Sequence, residues 1–420
     1  MSPHRSPRSP RPAGPASPRG FTLVELMVAS TIAMMIMAAV VTLFVAFGGA
    51  ASTSQSIVDM SSRLRTTATR LRRDLAGITV PLRPPASPDG NPGYFELIEG
   101  PLLDTSGTGT QLLADVDDVL LFTTQSAGPP FQGRYMVSGT ERRIESSTAE
   151  VAWFCRPSPV AAQTVDGLQL HTLYRRQLLV IGYVGVAPFH NPGTPTTNQI
   201  AGTLPGLLTD YDVSLRDAGG GVCVPNTLGD LTWRQNRFLH GAGNTAFSLD
   251  AAGATFEGTA REGEDVVLTN VIAFDVRAFD PVIPVRSGST GAILYPGDLD
   301  YDNGTNASTK GAFVDLGRQG GGTTLSGAAA AKAGTALACT YDTWSTAYEA
   351  NGIDDDSDGI VDDATNGADN NGDGLPDDPG ETETSPPYAV PLTAIEVRIR
   401  CYDPTSREVR QITVRQALAN

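Results

Sequence analysis

Arg19-Gly20-Phe21-Thr22-Leu23-Val24-Glu25-Leu26 opens a stretch that carries no further charge as far as Ala51. Its apolar part, Leu26 to Phe47, is as long as a bilayer-spanning helix needs to be, about 20 residues. A secretory signal core is shorter, roughly 7–15 residues, and is cut behind the apolar run. Ala46-Phe47-Gly48 does offer a small-x-small site, so a conventional signal or a plain anchor stays open as the alternative. Glu25 weighs against both. An ionisable group inside a membrane costs on the order of 2.5–3.5 kcal/mol near the helix centre and is functional by default.

The segment resembles the signal of type IV prepilins and pseudopilins, with Gly before the cut, Phe after it and a Glu four residues on. Gly20 has no side chain, so a peptidase at the cytoplasmic face can close on the backbone around the scissile bond. The resemblance implies cleavage between Gly20 and Phe21 by prepilin peptidase and N-methylation of Phe21. It also implies that Glu25 neutralises the N-terminal amine of a neighbouring subunit. Opposite charges in a low-dielectric layer attract strongly enough to set the register of assembly. Residues 1–20 are then the leader, and 21–78 a pilin helix whose transmembrane part is about 26–47.

The chain has 420 residues and a net charge of −16. The leader holds Arg5, Arg8, Arg11 and Arg19 and no acid, so the remaining 400 residues carry −20. A basic nucleic-acid-binding surface is therefore not expected on the mature chain. Positive charge ahead of the helix keeps that end cytoplasmic and sends the bulk of the chain to the periplasm.

A second helical pattern follows Gly48-Gly49, two weak points of about 1 kcal/mol each for a helix that must either bend there or run through. Ile57, Met60, Leu64, Ala68, Leu71 and Leu75 recur at three- and four-residue steps, with Arg63, Arg65, Arg70, Arg72 and Arg73 mostly on the other face. Gly77 and Pro81 stop the helix.

From residue 79 to 420 short apolar runs alternate with turn residues. Strands are expected at Val119 to Thr123, Glu150 to Cys155, Leu173 to Val184, Asp265 to Phe279, Ile395 to Tyr402 and Val409 to Arg415. The last two frame Asp403-Pro404-Thr405-Ser406 and read as a hairpin. Ile272 to Pro281 echoes Ile395 to Pro404, as two strands ending in the same turn would. The fold class expected is α+β: a long N-terminal helix, its first half in the membrane, packed on an antiparallel β-sheet domain with large loop insertions. Cys155, Cys223, Cys339 and Cys401 lack metal or redox spacing, and either two disulfides or free buried thiols fit them.

Arg72-Arg73-Asp74-Leu75, then Asp118-Val119-Leu120-Leu121-Phe122, Val151-Ala152-Trp153-Phe154 and Leu173-Tyr174-Arg175-Arg176 are similar to PilW-type minor pilins and to the J-type pseudopilins of type II secretion. The resemblance implies a non-enzymatic subunit of a type IV pilus or its tip complex. Its partners would be prepilin peptidase, other major and minor pilins, the inner-membrane assembly platform and a large tip adhesin. The chain would sit in the inner membrane as a single-pass protein and then pass to a pilus or pseudopilus at the cell surface. A secretion pseudopilin, and a surface adhesin using the pilin export route, are the alternatives.

Residues 351–383 hold twelve acids and no base. Asp354, Asp356, Asp358 and Asp362 recur fifteen residues later as Asp369, Asn371, Asp373 and Asp377, each set with a Gly after its third member. Oxygen ligands at alternate positions and a Gly for the sharp turn are what a Ca²⁺ loop requires. Thr365 and Pro376 depart from an EF-hand, and the segment resembles thrombospondin type 3 repeats. A solvated acidic loop is the competing reading. Asp298, Asp300 and Asp302 form a weaker third candidate, and Gly317 to Ala338 reads as a loop without chemistry. His171, His190 and His240 have no ligand-spaced companions, no nucleophile or phosphate motif occurs, and the scattered acids are expected at the surface.

Overall fold

The computed structural model describes residues 20–82, 92–99, 115–137, 140–158, 164–165, 168–181, 200–232, 236–240, 253–296, 298, 301–316, 339–343 and 392–418. The chain forms two compact units, Met1–Ser56 and Ile57–Asn420. Helix α1 spans Leu23–Ala76 without interruption, so Gly48 and Gly49 are tolerated within it. It is two residues shorter at each end than the pattern predicts. Thr22 acts as the N-cap, and Gly77 and Ile78 leave the helix to meet the sheet, where Ile78 bridges Thr124.

In the second unit the apolar stripe of α1 is buried as its spacing predicts: Met60, Leu64, Ala68, Leu71 and Leu75 are at most 5% exposed, whereas Arg63, Arg65, Arg70, Arg72 and Arg73 are exposed. Each fully buried Leu contributes about 1.5–3 kcal/mol, so packing rather than helix propensity holds this half.

The stripe covers one face of a sheet built from β1 (Phe95–Glu99), β2 (Val119–Gln125), β3 (Thr148–Pro157), β4 (His171–Leu179), β5 (Val266–Ser287), β6 (Thr305–Val314), β7 (Cys339–Asp342), β8 (Ala394–Asp403) and β9 (Glu408–Ala417). The order is β7-β1-β2-β3-β4-β5-β8-β9, with β6 and the short strand Ile293–Leu294 pairing on β5. Every pairing in it is antiparallel. Alternation along the strands divides the core in two. Leu120, Phe122, Val151 and Trp153 join the α1 stripe, while Val119, Leu121, Ala152, Phe154 and Tyr174 face a second cluster with Leu208, Leu231 and Phe238. Leu208 comes from the short helix α2 (Leu204–Asp210). Because both faces are covered, β2 and β3 are buried almost without a break.

All six expected strands exist, with longer or shifted ends. The run expected from Leu173 to Val184 is β4, which starts at His171 and stops at Leu179. The C-terminal hairpin forms as read, Asp403 opposite Glu408, and the Asp403 carboxylate accepts hydrogen bonds from the Thr405 and Ser406 N–H groups at 3.1 Å each. The echo is a different matter. Ile272–Pro281 and Ile395–Pro404 do not end in the same turn: the echoed strands pair with each other, Phe274 opposite Ile399 and Val276 opposite Val397, and β5 runs past Pro281 to Ser287. Pro281 has no N–H for the ladder, and the register against β6 shifts between Asp280 and Pro284. Asp280 Oδ1 accepts from Val282 N at 2.8 Å and so satisfies the backbone at the irregularity.

Candidate functional site

Gly20, Phe21 and Thr22 lie outside the helix, and among the described residues, chain neighbours apart, no atom comes within 4 Å of where a Gly20 Cβ would be. The peptide between Gly20 and Phe21 is therefore open backbone just ahead of the first turn, the geometry a protease needs. Phe21 is 85% exposed. Thr22 and Glu25 form a reciprocal capping box: Glu25 N donates to Thr22 Oγ1 at 3.2 Å, while Thr22 N and Thr22 Oγ1 donate to Glu25 Oε2 at 2.9 and 3.0 Å. Glu25 also places a negative charge at the positive end of the helix dipole. Its second oxygen, Oε1, takes no part in the box.

Beyond Glu25 the helix is apolar on all sides and exposed on all sides: Leu26, Met27, Ile32, Met35, Ile36, Phe44 and Phe47 are each more than half exposed. Its hydroxyls turn back onto the backbone, Ser30 Oγ to Met27 O at 2.9 Å, Thr31 Oγ1 to Met27 O at 2.7 Å and Thr42 Oγ1 to Ala39 O at 2.8 Å. Such a surface has no stable place in water and leaves no side-chain donor unsatisfied in lipid.

Residues 16–41 match a family model described as the prokaryotic N-terminal methylation motif. The chain carries a prepilin-type signal. The match supports a type IV pilin-like family, with processing by prepilin peptidase and association with other pilins, and the apolar helix fits a membrane-anchored pilin. No curated protein and no solved structure matches the chain.

Within the second unit, the pilin-like helix is tied to its sheet by charge as well as by packing. Asp74 is 2% exposed. Its Oδ2 accepts from Arg175 Nε at 2.6 Å and Trp153 Nε1 at 3.0 Å, and its Oδ1 accepts from Arg175 Nη2 at 2.8 Å. The Arg175 fork is held from its other end by Gln177 Oε1 at 2.9 Å. One turn on, Thr124 Oγ1 donates to Asp74 O at 2.7 Å and Gln125 N to Gly77 O at 2.7 Å. A Cβ on Gly77 would collide with Gln125 O, so only glycine lets the helix end meet β2 this closely. Three of the four segments that carry the minor-pilin resemblance, those around Asp74, Trp153 and Arg175, thus converge on one buried ion pair. The sequence displays these residues, but only the fold brings them together.

Many acids expected at the surface are buried instead. Glu150 accepts from Tyr94 Oη at 2.7 Å, Ser214 Oγ at 2.6 Å and Phe238 N at 2.8 Å; burial raises its pKa above the usual carboxylate range, and these donors offset only part of that. Arg237 bridges Glu96 at 2.9 Å and Asp342 at 2.5 Å, and His240 Nε2 lies 3.3 Å from Glu96 Oε1. Sealed from solvent and supplied with partners, these groups lock the sheet's second face rather than meet a substrate. The cause is the double covering of the sheet, which the scatter of acids along the chain does not reveal. A third group, Glu99, Asp115 and Asp118, was equally unmarked in the sequence.

Asp354, Asp356, Asp358, Asp362, Asp369, Asn371, Asp373 and Asp377 lie outside the described residues, as do His190 and Asp300. Asp298 accepts from Tyr295 N at 2.7 Å. Cys155, Cys223 and Cys401 are buried free thiols, which accords with the reading of these cysteines as small hydrophobes.

Proposed function

We propose that the chain is a PilW-like minor pilin: it is cut after Gly20, methylated on Phe21, spans the inner membrane through about residues 26–47, and joins the tip or priming complex of a type IV filament with its sheet unit on the outer side. The observation that carries the reading is the methylation motif placed on an exposed, capped apolar helix whose continuation is locked to the sheet. Within the filament, Glu25 pairs with the N-terminal amine of a neighbour. That amine exists only after the cut, so processing and assembly are chemically coupled. Assembly platform and a large tip adhesin are the further partners proposed. Mass spectrometry of protein from a host with prepilin peptidase tests this: the mature chain begins with N-methylated Phe21. A start near Gly49 would mean a conventional signal peptide and would remove the assignment.

The acidic stretch 351–383 belongs to the same proposal as a calcium-binding insertion. Asp354, Asp356, Asp358 and Asp362 hold one Ca²⁺ and Asp369, Asn371, Asp373 and Asp377 a second. Extracellular modules of this kind bind at roughly 10⁻⁴–10⁻³ M, so occupancy follows external calcium. Loss of two equivalents of calcium-binding heat when Asp358 and Asp373 are both changed to Ala is the expected calorimetric result, and unchanged heat refutes it.

A further inference from the structure

Glu99 ends β1, and Asp115 and Asp118 lie just ahead of β2. All three are at most 1% exposed, and one carboxylate oxygen from each lies within 4.8 Å of those of the other two. The backbone fixes them there. Phe274 N donates to Asp115 O at 2.7 Å and Val276 N to Asp118 Oδ2 at 2.6 Å, so residues 115–118 continue the edge of β5 beyond its last pairing with β4 at Val271. Leu316 N donates to Glu99 Oε2 at 3.2 Å.

Those bonds leave four buried oxygens, Glu99 Oε1, Asp118 Oδ1 and both oxygens of Asp115, with no hydrogen-bond partner. Charge is unbalanced as well. The guanidinium that approaches the region, Arg277, lies 3.0 Å from both Asp275 and Asp315 and is committed to them. Among the described residues, the three carboxylates therefore converge without a counter-charge of their own. Burial first, then Asp118 and Asp275, pushes the Asp115 carboxyl up to about 12. Orphaned buried oxygens of this kind normally cost about 1–3 kcal/mol each, more when charged, and call for a ligand.

We propose that Glu99, Asp115 and Asp118 form a buried Ca²⁺ site, separate from residues 351–383. The oxygen spacing suits it, since two ligands on opposite sides of a Ca²⁺ at about 2.3–2.6 Å are about 4.6–5.2 Å apart. The donors are all hard oxygens, without imidazole or thiolate, which sets aside zinc and copper. Mg²⁺ retains several waters and needs near-ideal octahedral geometry, whereas Ca²⁺ accepts irregular sets of six to eight oxygens, including bidentate carboxylates, in a site closed to solvent. Bound there, the ion ties the end of β1, the approach to β2, and through their backbone bonds β5 and the residues after β6. It is a staple on the sheet rather than a catalytic centre.

The test uses the full chain in detergent, stripped with EGTA, with Asp358→Ala and Asp373→Ala silencing the acidic repeats. This parent is expected to bind about one Ca²⁺ by calorimetry and to melt higher in 1 mM CaCl₂ than in EGTA. Adding Asp115→Asn weakens binding at least about tenfold and abolishes the melting shift, yet leaves melting in EGTA at or above the parent's because no carboxyl at position 115 then has to take up a proton on burial. Glu99→Gln, which keeps an acceptor for Leu316 N, gives the same loss and guards against a variant that misfolds. A parent without calcium heat or melting shift overturns the proposal, as does a variant that still binds one ion. An equal shift from 1 mM MgCl₂ overturns the choice of calcium. Failure of the repeats is read separately, from the difference between the wild-type chain and the parent.

Discussion

Replacing Asp74 with Asn removes one charge from a site where both partners are about 3% exposed on their side chains. The amide can still accept through one oxygen, but its NH₂ must face a donor that the second carboxylate oxygen now satisfies. One charge-assisted bond is lost, about 1.5–3 kcal/mol, and the Arg175 guanidinium stays buried with only neutral side-chain acceptors, the amide oxygen at position 74 and Gln177 Oε1. Breaking a buried pair by removing one partner costs about 3–5 kcal/mol, against about 0–1 kcal/mol for an exposed pair, so the two views of this contact separate cleanly. With an unfolding entropy of about 2.1 cal/mol/K per residue, a unit the size of Ile57–Asn420 loses about 1.3 °C per kcal/mol, and the melting point falls by about 4–7 °C. Calorimetric melting of the full chain in detergent measures it. Asp74→Leu combined with Arg175→Met should recover much of the loss, because no charge is then left unpaired. A shift under about 1 °C for Asp74→Asn, or a double variant as unstable as the two single losses added, would refute the buried lock.

Glu25 separates into two jobs that two substitutions can tell apart. Gln at position 25 preserves the capping box but carries no charge, so Glu25→Gln is expected to insert normally and still be missing from sheared filaments, as Glu25→Ala is; wild-type incorporation of the Gln variant would leave Glu25 a cap and nothing more. Gly77→Ala forces apart the helix end and Gln125 O and should destabilise the second unit by about 1–3 kcal/mol, read as a lower denaturant midpoint; an unchanged midpoint would mean that junction is soft. Glu150 has a raised folded pKa, so its contribution is fully present below the unfolded value near about 4.3 and is lost as pH rises toward the folded one. The stability of wild type relative to Glu150→Gln should therefore fall as pH rises above that unfolded value, and a rise instead would reverse the assignment.

What could be read from the chain was read from short-range pattern. Gly20, Phe21, Thr22 and Glu25 lie within about one turn, so motif and cap are local. The stripe from Met60 to Leu75 appears because helix neighbours recur every three or four residues, and the hairpin about Asp403 because strand neighbours alternate and the turn supplies its own acceptors. The β5 echo misled for the same reason: Asp280-Pro281 has the local chemistry of the Asp403-Pro404 turn, but pairing with β6 carries the strand through it.

Sequence alone therefore determined the processing signal, the long helix with its buried and exposed faces, and the antiparallel β character of the rest. Only the tertiary structure decided which polar residues meet. Asp74 reaches Arg175 across 101 residues and Trp153 across 79, and Glu99 meets Asp115 and Asp118 where β5 changes partners. An acid on a strand reads as surface unless both faces of the sheet are known to be covered. That covering comes from α1 on one side and from the loops carrying Leu231 and Phe238 on the other, a long-range fact with no local trace.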